Sequence, residues 1–171
     1  MESSKVYTIK GDIENIDVDI SQYNNQYIVK KITKSKVELE ICRLLMQYPH
    51  KNIVRIFEVG TDYVIMEQVN INLNRISKDT IQTKMTIVKD HLQNLGIIYI
   101  DWKRDNIGIG IDGELILFDF DVSGLVDVNT QNWIIDAKHY YAYNHAIDDG
   151  YNTPIEIDNY AFNKYLLKIP T

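Results

Sequence analysis

The spacing of apolar residues changes along the chain from an alternating pattern to a helical one. Residues 5–32 hold three short runs of β-branched and aromatic residues, with turn-prone Gly11-Asp12 and Asn24-Asn25 between them. Such runs predict β-strands. Between residues 36 and 48 the apolar positions recur every three or four residues, and Pro49 ends the run. This segment is predicted to be a helix.

Two further strands and a second helix are predicted in the middle of the chain. The strands fall at residues 53–59 and 63–66, around a turn that begins at Gly60. The helix falls at residues 80–95, and Gly96 follows it where a left-handed cap belongs. Strands therefore dominate the early sequence and helices the later sequence, which predicts an α+β chain of two lobes.

A hairpin is predicted around Asp112-Gly113, where alternating apolar residues run up to the turn and return from it. If these two residues form the whole turn, Asn106 lies directly opposite Asp119, with Cβ atoms about 5 Å apart. Asp101 and Lys103 lie just upstream. Asp and Asn also terminate strands and cap turns. The pair in register nevertheless predicts a site for Mg²⁺, which prefers oxygen ligands of this kind.

Composition and charge restrict the class of protein. The chain has 171 residues, 45% of them hydrophobic and 25% charged, so it can form one soluble domain with a real core. A net charge of −6 argues against a nucleic-acid surface. The longest apolar stretch, residues 95–100, is too short to cross a membrane, and no secretory signal is visible at Met1. With Cys42 as the one cysteine, we expect an intracellular, cytoplasmic protein.

Several segments resemble the eukaryotic-type protein kinase family. Residues 91–106 look like its catalytic loop, H-R-D-x-K-x-x-N, with Asp101, Lys103 and Asn106 at the matching positions. Residues 117–121 look like its D-F-G, with Asp119 as the aspartate. Four weaker likenesses, to the V-A-I-K strand, helix αC, the hinge and the start of helix αF, lie at residues 27–32, 38–45, 63–69 and 158–162. Together they cover roughly residues 26–168.

The resemblance implies one minimal kinase-like domain of two lobes, spanning residues 1–171. A reduced, β-rich N-lobe and hinge would occupy residues 1–69, and a mainly helical C-lobe, cut short after αF, would occupy residues 70–171. We expect such a truncated lobe to leave apolar surface uncovered and available to a partner or a second copy, as a homodimer. That surface would be formed by Tyr160, Phe162, Tyr165, Leu166 and Leu167.

The family's site residues carry over to matching positions. Asp101 would orient the substrate hydroxyl, and Lys103 would contact the transferring phosphate, a lysine that favours Ser/Thr substrates. Asn106 and Asp119 would hold Mg²⁺. The hinge would bind the adenine of ATP through the backbone of Glu67 and Val69.

A lysine and a glutamate would bind the α- and β-phosphates of ATP. The likeness to V-A-I-K places this role on Lys30, although Lys31 is an equally basic neighbour. Glu38 and Glu40 both flank the apolar stripe of the helix, so periodicity does not choose between them. The distance to Asn52 favours Glu40.

The chain departs from the family at other positions. Only Gly11 lies before Lys30, so the Gly-rich loop is absent. Tyr99-Ile100 replaces H-R, which predicts that no phosphorylated activation loop is needed. Asp121 replaces the glycine of D-F-G and adds an acid near Asp119. The histidines and tyrosines of residues 139–145 are expected to pack in the core.

The leading hypothesis is an ATP- and Mg²⁺-dependent Ser/Thr protein kinase reduced to a minimal core, acting on a protein substrate. Its place would be the cytoplasm, or that of a host cell if the source is viral or bacterial. The alternative is a catalytically weak pseudokinase or decoy that binds a cellular kinase or its substrate. A third reading is a kinase of small molecules on the same fold.

Overall fold

The computed structural model describes residues 4–5, 17–18, 28–71, 73 and 75–169. At the start of the chain a short strand β1 (Ser4–Lys5) pairs antiparallel with β2 (Asp17–Val18). Residues 6–9, which form the first of the three predicted runs, and the turns at Gly11 and Asn24 lie outside the described residues. The rest of the described chain is α+β, with small antiparallel sheets and four α-helices.

The first half is built on a three-stranded antiparallel sheet. Its strands are β3 (Ile28–Ile32), β4 (Ile56–Val59) and β5 (Tyr63–Glu67), and β5 lies in the centre. Helix α1 (Lys36–Gln47) packs against this sheet. The predicted helix is confirmed, and its N-cap is Ser35, whose side chain accepts a hydrogen bond from the Glu38 backbone N–H.

The second half begins with the second predicted helix, α2 (Lys78–Asn94). Gly96 follows with φ +79°, the left-handed cap that its position predicts. The elements that follow are β6 (Ile97–Ile98), the 3₁₀ turn Arg104–Asn106, β7 (Ile107–Ile109), β8 (Leu115–Leu117), β9 (Gly124–Val126), β10 (Trp133–Ile135), α3 (Tyr141–Asp148) and α4 (Pro154–Ala161), which continues as a π-helical turn, Phe162–Leu166. Strands β7 and β8 form a hairpin, and the other three form an antiparallel sheet in the order β10-β9-β6.

The hairpin forms, but its predicted register is wrong by one residue. Ile107 pairs with Leu117, and the Gly110 N–H donates to the Glu114 carbonyl at 2.8 Å. The loop therefore holds three residues, and Gly113 at its end adopts φ +82°. As a result the Asn106 carbonyl accepts from the Phe118 N–H at 3.0 Å, and Asn106 does not stand directly opposite Asp119.

The β7–β8 hairpin connects the two halves. Ile53 forms a parallel bridge with Leu117, and Asn70 forms an antiparallel bridge with Ile109. Around these bridges most of the buried apolar side chains form one continuous cluster that extends from Val29 to Leu167, while Ile28 and Ile65 form a small separate cluster on the first sheet. The hairpin thus fixes the first sheet relative to the loop that precedes β7.

The prediction that apolar side chains near residues 160–167 are exposed is wrong. Four of the five side chains are no more than 5% exposed, and Tyr165 is partly buried against the core. Phe162 packs edge to face on Trp102, with ring centroids 4.9 Å apart. The segment therefore folds back onto the loop after β6, and the predicted homodimer loses the surface on which it rested. The buried members are Tyr160, Phe162, Leu166 and Leu167.

The segment of residues 139–145 is only partly in the core. Tyr143 is buried, whereas the side chains of His139, Tyr140, Tyr141 and His145 are exposed. The expectation of core packing therefore holds for one aromatic residue and fails for its neighbours. Across the described residues, no helix combines the length and the apolar character needed to cross a membrane.

Candidate functional site

The loop between β6 and β7 is hydrogen-bonded to a buried carboxylate, that of Asp158. Ile100 adopts φ +63°, a left-handed conformation that is rare for a β-branched residue. Oδ1 of Asp158 accepts from the Ile100 N–H at 2.9 Å and from the Trp102 indole N–H at 2.7 Å. Burial raises the pKa of Asp158, and the hydrogen bonds from Gln93, Ile100 and Trp102 oppose that rise. The anchored backbone turns the next side chain, Asp101, towards the hairpin.

Asp101, Lys103 and Asn106 come together as the sequence predicts. The side-chain amide of Asn106 donates to Oδ2 of Asp101 at 2.7 Å and to its backbone carbonyl at 3.0 Å. The Lys103 ammonium lies 3.3 Å from Oδ1 of Asp101. The Asp101 carboxylate is 10% exposed, so these two neighbours set its orientation. Because Asn106 uses its amide nitrogen for Asp101, its side-chain oxygen is the atom it can offer to a cation.

Three carboxylates form an acidic cluster, Asp101, Asp119 and Asp121. Each offers one oxygen, and these oxygens all lie within 4.8 Å of one another. Asp119 follows β8 with φ +69°, which turns its side chain back towards the loop. Burial raises the pKa of Asp121, and the neighbouring Asp119 carboxylate raises it further. The sequence identified Asp121 as an added acid but did not predict that it joins the cluster.

A buried lysine joins the acidic cluster to helix α1. The Lys31 ammonium donates to Oε1 of Glu38 at 2.5 Å and to Oδ1 of Asp119 at 3.1 Å. The side chains of Lys31, Glu38 and Asp119 are 9%, 2% and 2% exposed. Burial alone would lower the pKa of Lys31, but the charges of Glu38 and Asp119 raise it overall. One cation therefore holds a residue of the first half against a residue of the second.

The predicted pair of Lys30 and Glu40 is not found. The Lys30 ammonium lies 4.5 Å from the centroid of the Tyr63 ring, on the other face of β3. Glu40 is exposed and pairs with Arg43 at 2.9 Å. Successive strand residues point to opposite faces, so only one of the two lysines can face α1. The structure therefore assigns the pair to Lys31 and Glu38.

The sequence held a signal for the glutamate but not for the lysine. Glu38 lies three, four and seven residues before Ile41, Cys42 and Leu45, which are all buried, so helical counting would have preferred Glu38 over Glu40. Lys31 shares a face of β3 with Val29, which packs in the main core. The face that carries Lys30 also holds a buried residue, Ile28, so alternation along the strand does not choose between the two lysines.

The predicted adenine-binding residues lie beside an open cavity. We call residues 67–71 the connecting segment, because they lead from β5 to the second half. A cavity of about 550 Å³ lies between this segment and residues 109–111 of the hairpin. Glu67 lines it, and burial raises the pKa of that carboxyl. Val69 also lines it and is 7% exposed, because it packs on the hairpin.

Gly108 allows the hairpin to approach the connecting segment closely. A Cβ atom on residue 108 would lie 2.3 Å from Cγ1 of Val69 and 2.6 Å from the Asn70 carbonyl oxygen. The backbone oxygen cannot move without breaking the paired hydrogen bonds between Asn70 and Ile109. Gly108 is therefore a packing requirement of this contact.

We expect Gly108→Ala to lower the free energy of unfolding by about 1–3 kcal/mol through overpacking. Thermal or urea unfolding measures this loss. Gly113→Ala is a useful control because a Cβ there meets nothing within 4 Å, although its φ of +82° adds some backbone strain. A Gly108→Ala protein as stable as the wild type would contradict the close packing of the hairpin on the connecting segment.

No protein-family model matches the chain, and no curated protein matches it.

Proposed function

We propose that the protein is an ATP- and Mg²⁺-dependent phosphotransferase with a two-lobed, kinase-like fold, acting on Ser or Thr hydroxyls of a protein substrate. The observation that carries the proposal is the Lys31 ammonium, which contacts Glu38 and Asp119 at once. This arrangement puts a cation for phosphate beside carboxylates for a metal ion. It fits the transfer of a group that bears several negative charges.

The residues at the site suit Mg²⁺. The structure brings together carboxylate oxygens of Asp101, Asp119 and Asp121, and the side-chain oxygen of Asn106 would add a further donor. Mg²⁺ prefers oxygen ligands and needs only one or two protein carboxylates. Among the described residues, Oδ1 of Asp121 is buried and accepts no hydrogen bond. When bound with the nucleotide, Mg²⁺ would neutralise developing charge on the phosphates.

The chain's own residues then have distinct roles. Lys31, steadied by Glu38, would bind the α- and β-phosphates in place of the predicted Lys30. Asp101, held by the Asn106 amide, would orient the substrate hydroxyl and accept its proton. Lys103, 3.3 Å from Asp101, would contact the transferring phosphate. The backbone of Glu67 and Val69 would bind adenine from the connecting segment.

The acidic cluster favours this function over that of a non-catalytic decoy. Clustered carboxylates repel one another, and the raised pKa of Asp121 reflects that cost together with burial. A scaffold gains nothing from such an arrangement, whereas a cation and a phosphate would relieve it. The apolar surface expected to dock a partner is buried, so the decoy hypothesis keeps only the missing Gly-rich loop as support. A protein substrate or host protein and an intracellular location remain part of the proposal.

Phosphate transfer from radiolabelled ATP tests the proposal directly. Asp101→Asn and Asp119→Ala are expected to lower transfer to a general protein substrate by about 10²-fold or more. Asp105→Asn is the matched control, because Asp105 is an exposed acid in the same loop. EDTA should abolish transfer by the wild type, and added Mg²⁺ should restore it. If the wild type transfers no more phosphate than the two site variants, the enzyme hypothesis is wrong.

Nucleotide binding can be measured before any substrate is known. At about 100 times its dissociation constant, ATP should stabilise the folded protein by about 2.7 kcal/mol. The gain should depend on Mg²⁺ and be lost in Asp119→Ala. A wild type whose thermal midpoint does not move with Mg²⁺ and ATP would contradict nucleotide binding at this site.

A further inference from the structure

The connection between β3 and α1 consists of Thr33, Lys34 and Ser35. It is tied by side-chain hydrogen bonds. The Thr33 hydroxyl oxygen accepts from the Ser35 N–H at 3.1 Å and donates to Oε2 of Glu38 at 3.0 Å. Ser35 in turn caps α1 by accepting from the Glu38 N–H. A short connection thus reaches Glu38 through both its backbone and its carboxylate.

Both oxygens of the Glu38 carboxylate are occupied. Oε1 accepts from Lys31, and Oε2 accepts from Thr33. The lysine neutralises the charge of the carboxylate. The hydroxyl is a neutral donor on the other oxygen, and it fixes the orientation of the carboxylate group. Thr33 is 8% exposed and Glu38 is 2% exposed, so water has little access to replace either contact. With both bonds made, the carboxylate has one orientation, and it faces Lys31.

We propose that Thr33 is a positioning residue that fixes Glu38 against Lys31 and so keeps helix α1 docked for nucleotide binding. The unmodified side chains of Thr33, Lys31 and Glu38 make all of these contacts, so docking of α1 needs no phosphorylation. The inference rests on the proposed function for its effect on catalysis. Without the hydroxyl, Glu38 can turn away from Lys31, and Lys31 is then drawn towards Asp119 and away from its position for phosphate.

Two substitutions at Thr33 distinguish the effect of its hydroxyl on the orientation of Glu38 from the effect of its side-chain packing. Thr33→Val keeps the shape of the side chain and removes the hydroxyl, and we expect it to raise the KM for ATP about tenfold with a smaller change in kcat. Thr33→Ser keeps the hydroxyl and should restore a KM within about twofold of the wild type. Ser35→Ala removes the helix cap without touching the Thr33–Glu38 bond, so it should destabilise α1 while the KM stays near that of the wild type.

The sole cysteine reports the docking of α1 independently of catalysis. Cys42 lies one turn after Glu38, is 1% exposed, and lines a small cavity with Lys31 and Glu38. A thiol reagent such as Ellman's reagent can reach it only when α1 moves. Thr33→Val should therefore react about tenfold faster than the wild type and than Thr33→Ser, under conditions where all three are folded.

The outcomes separate this inference from the proposed function. If the wild type transfers no phosphate, the proposed function fails, and the labelling rates alone decide whether Thr33 positions Glu38. Equal labelling of Thr33→Val and the wild type overturns the inference even in an active enzyme. So does a KM for ATP that rises as much in Ser35→Ala as in Thr33→Val, since the effect would then come from helix stability.

Discussion

Replacing Lys31 with methionine is expected to reduce phosphate transfer from ATP by about 10²–10³-fold, whereas Lys30→Met should change it by no more than about twofold. The two residues are adjacent and chemically identical, so each is the ideal control for the other. Lys31 contacts Glu38 and Asp119 inside the protein, and Lys30 lies over the Tyr63 ring. Initial rates at saturating and at low ATP, on purified folded proteins, measure the difference.

The same pair should differ in stability. Lys31→Met leaves the carboxylates of Glu38 and Asp119 buried without their shared cation, a change that costs about 3–5 kcal/mol in comparable buried pairs. Lys30→Met removes only a contact with an aromatic ring, worth about 0.5–1 kcal/mol. Urea unfolding at neutral pH gives both values. Lys31→Arg keeps the charge, so it should recover much of the stability if the methionine variant is too unstable to assay.

The opposite result would reject the assignment. If Lys30→Met abolishes transfer and Lys31→Met retains it, the catalytic lysine is the one that the sequence alone preferred. If both variants remain fully active, neither lysine binds phosphate, and the contact of Lys31 with Asp119 is purely structural.

Periodic segments with clear ends were predictable from the sequence. Helices α1 and α2 carry apolar residues at helical spacing, and Ser35 and Ser77 cap their first turns. Gly96 ends α2 in the left-handed conformation expected of a glycine there. In each case local interactions agree with the tertiary fold, so the local pattern is sufficient.

Register was harder to predict than the elements themselves. Asp112-Gly113 correctly located the hairpin, but Ile111 also belongs to the loop, because Gly110 pairs with Glu114. One added residue changes every facing pair along the hairpin. Asn106 reaches the site through Asp101 instead of through the cross-strand position opposite Asp119.

The choice between neighbouring charged residues also depended on tertiary structure. Composition and motif spacing cannot tell Lys30 from Lys31, because either fits a strand. The decision comes from which face of β3 meets α1, and that face is defined by packing between segments distant in sequence. The same holds for Asp121, whose carboxylate meets those of Asp119 and Asp101 through the fold of the segment after β8, where Asp119 adopts φ +69°.

The burial of the last segment shows a third limit. An abbreviated helical region was expected to expose apolar side chains, but Trp102 offers Phe162 an aromatic partner within the same chain. Lys89 also lies over the Phe162 ring, 5.4 Å from its centroid. Sequence spacing does not reveal such a contact, because the two partners of Phe162 lie on α2 and on the loop after β6.

Asp158 is expected to be the most sensitive structural residue of the site. Asp158→Ala removes the acceptor for the Ile100 N–H, the Trp102 indole N–H and the Gln93 amide. A buried donor left unpaired costs about 1–3 kcal/mol, so we expect a loss of about 3–5 kcal/mol in the free energy of unfolding. Ile100 holds a strained backbone at φ +63°, and such strain persists only while its surroundings enforce it.

Asp158→Asn is the matched control, because its side-chain oxygen can still accept from Ile100 and Trp102. Its NH₂ would replace Oδ2 opposite the Gln93 amide, which can rotate to present its own oxygen but then loses its hydrogen bond to Oδ1 of Asn159. We therefore expect a loss of about 1 kcal/mol and near-normal phosphate transfer from this variant. Asp158→Ala, assayed at a temperature where it is still folded, should transfer about 10²-fold less, because a displaced loop misplaces Asp101. An Asp158→Ala protein with the wild-type free energy of unfolding would mean that Ile100 keeps its conformation without the carboxylate. If this variant also transfers phosphate at the wild-type rate, the buried carboxylate does not position Asp101.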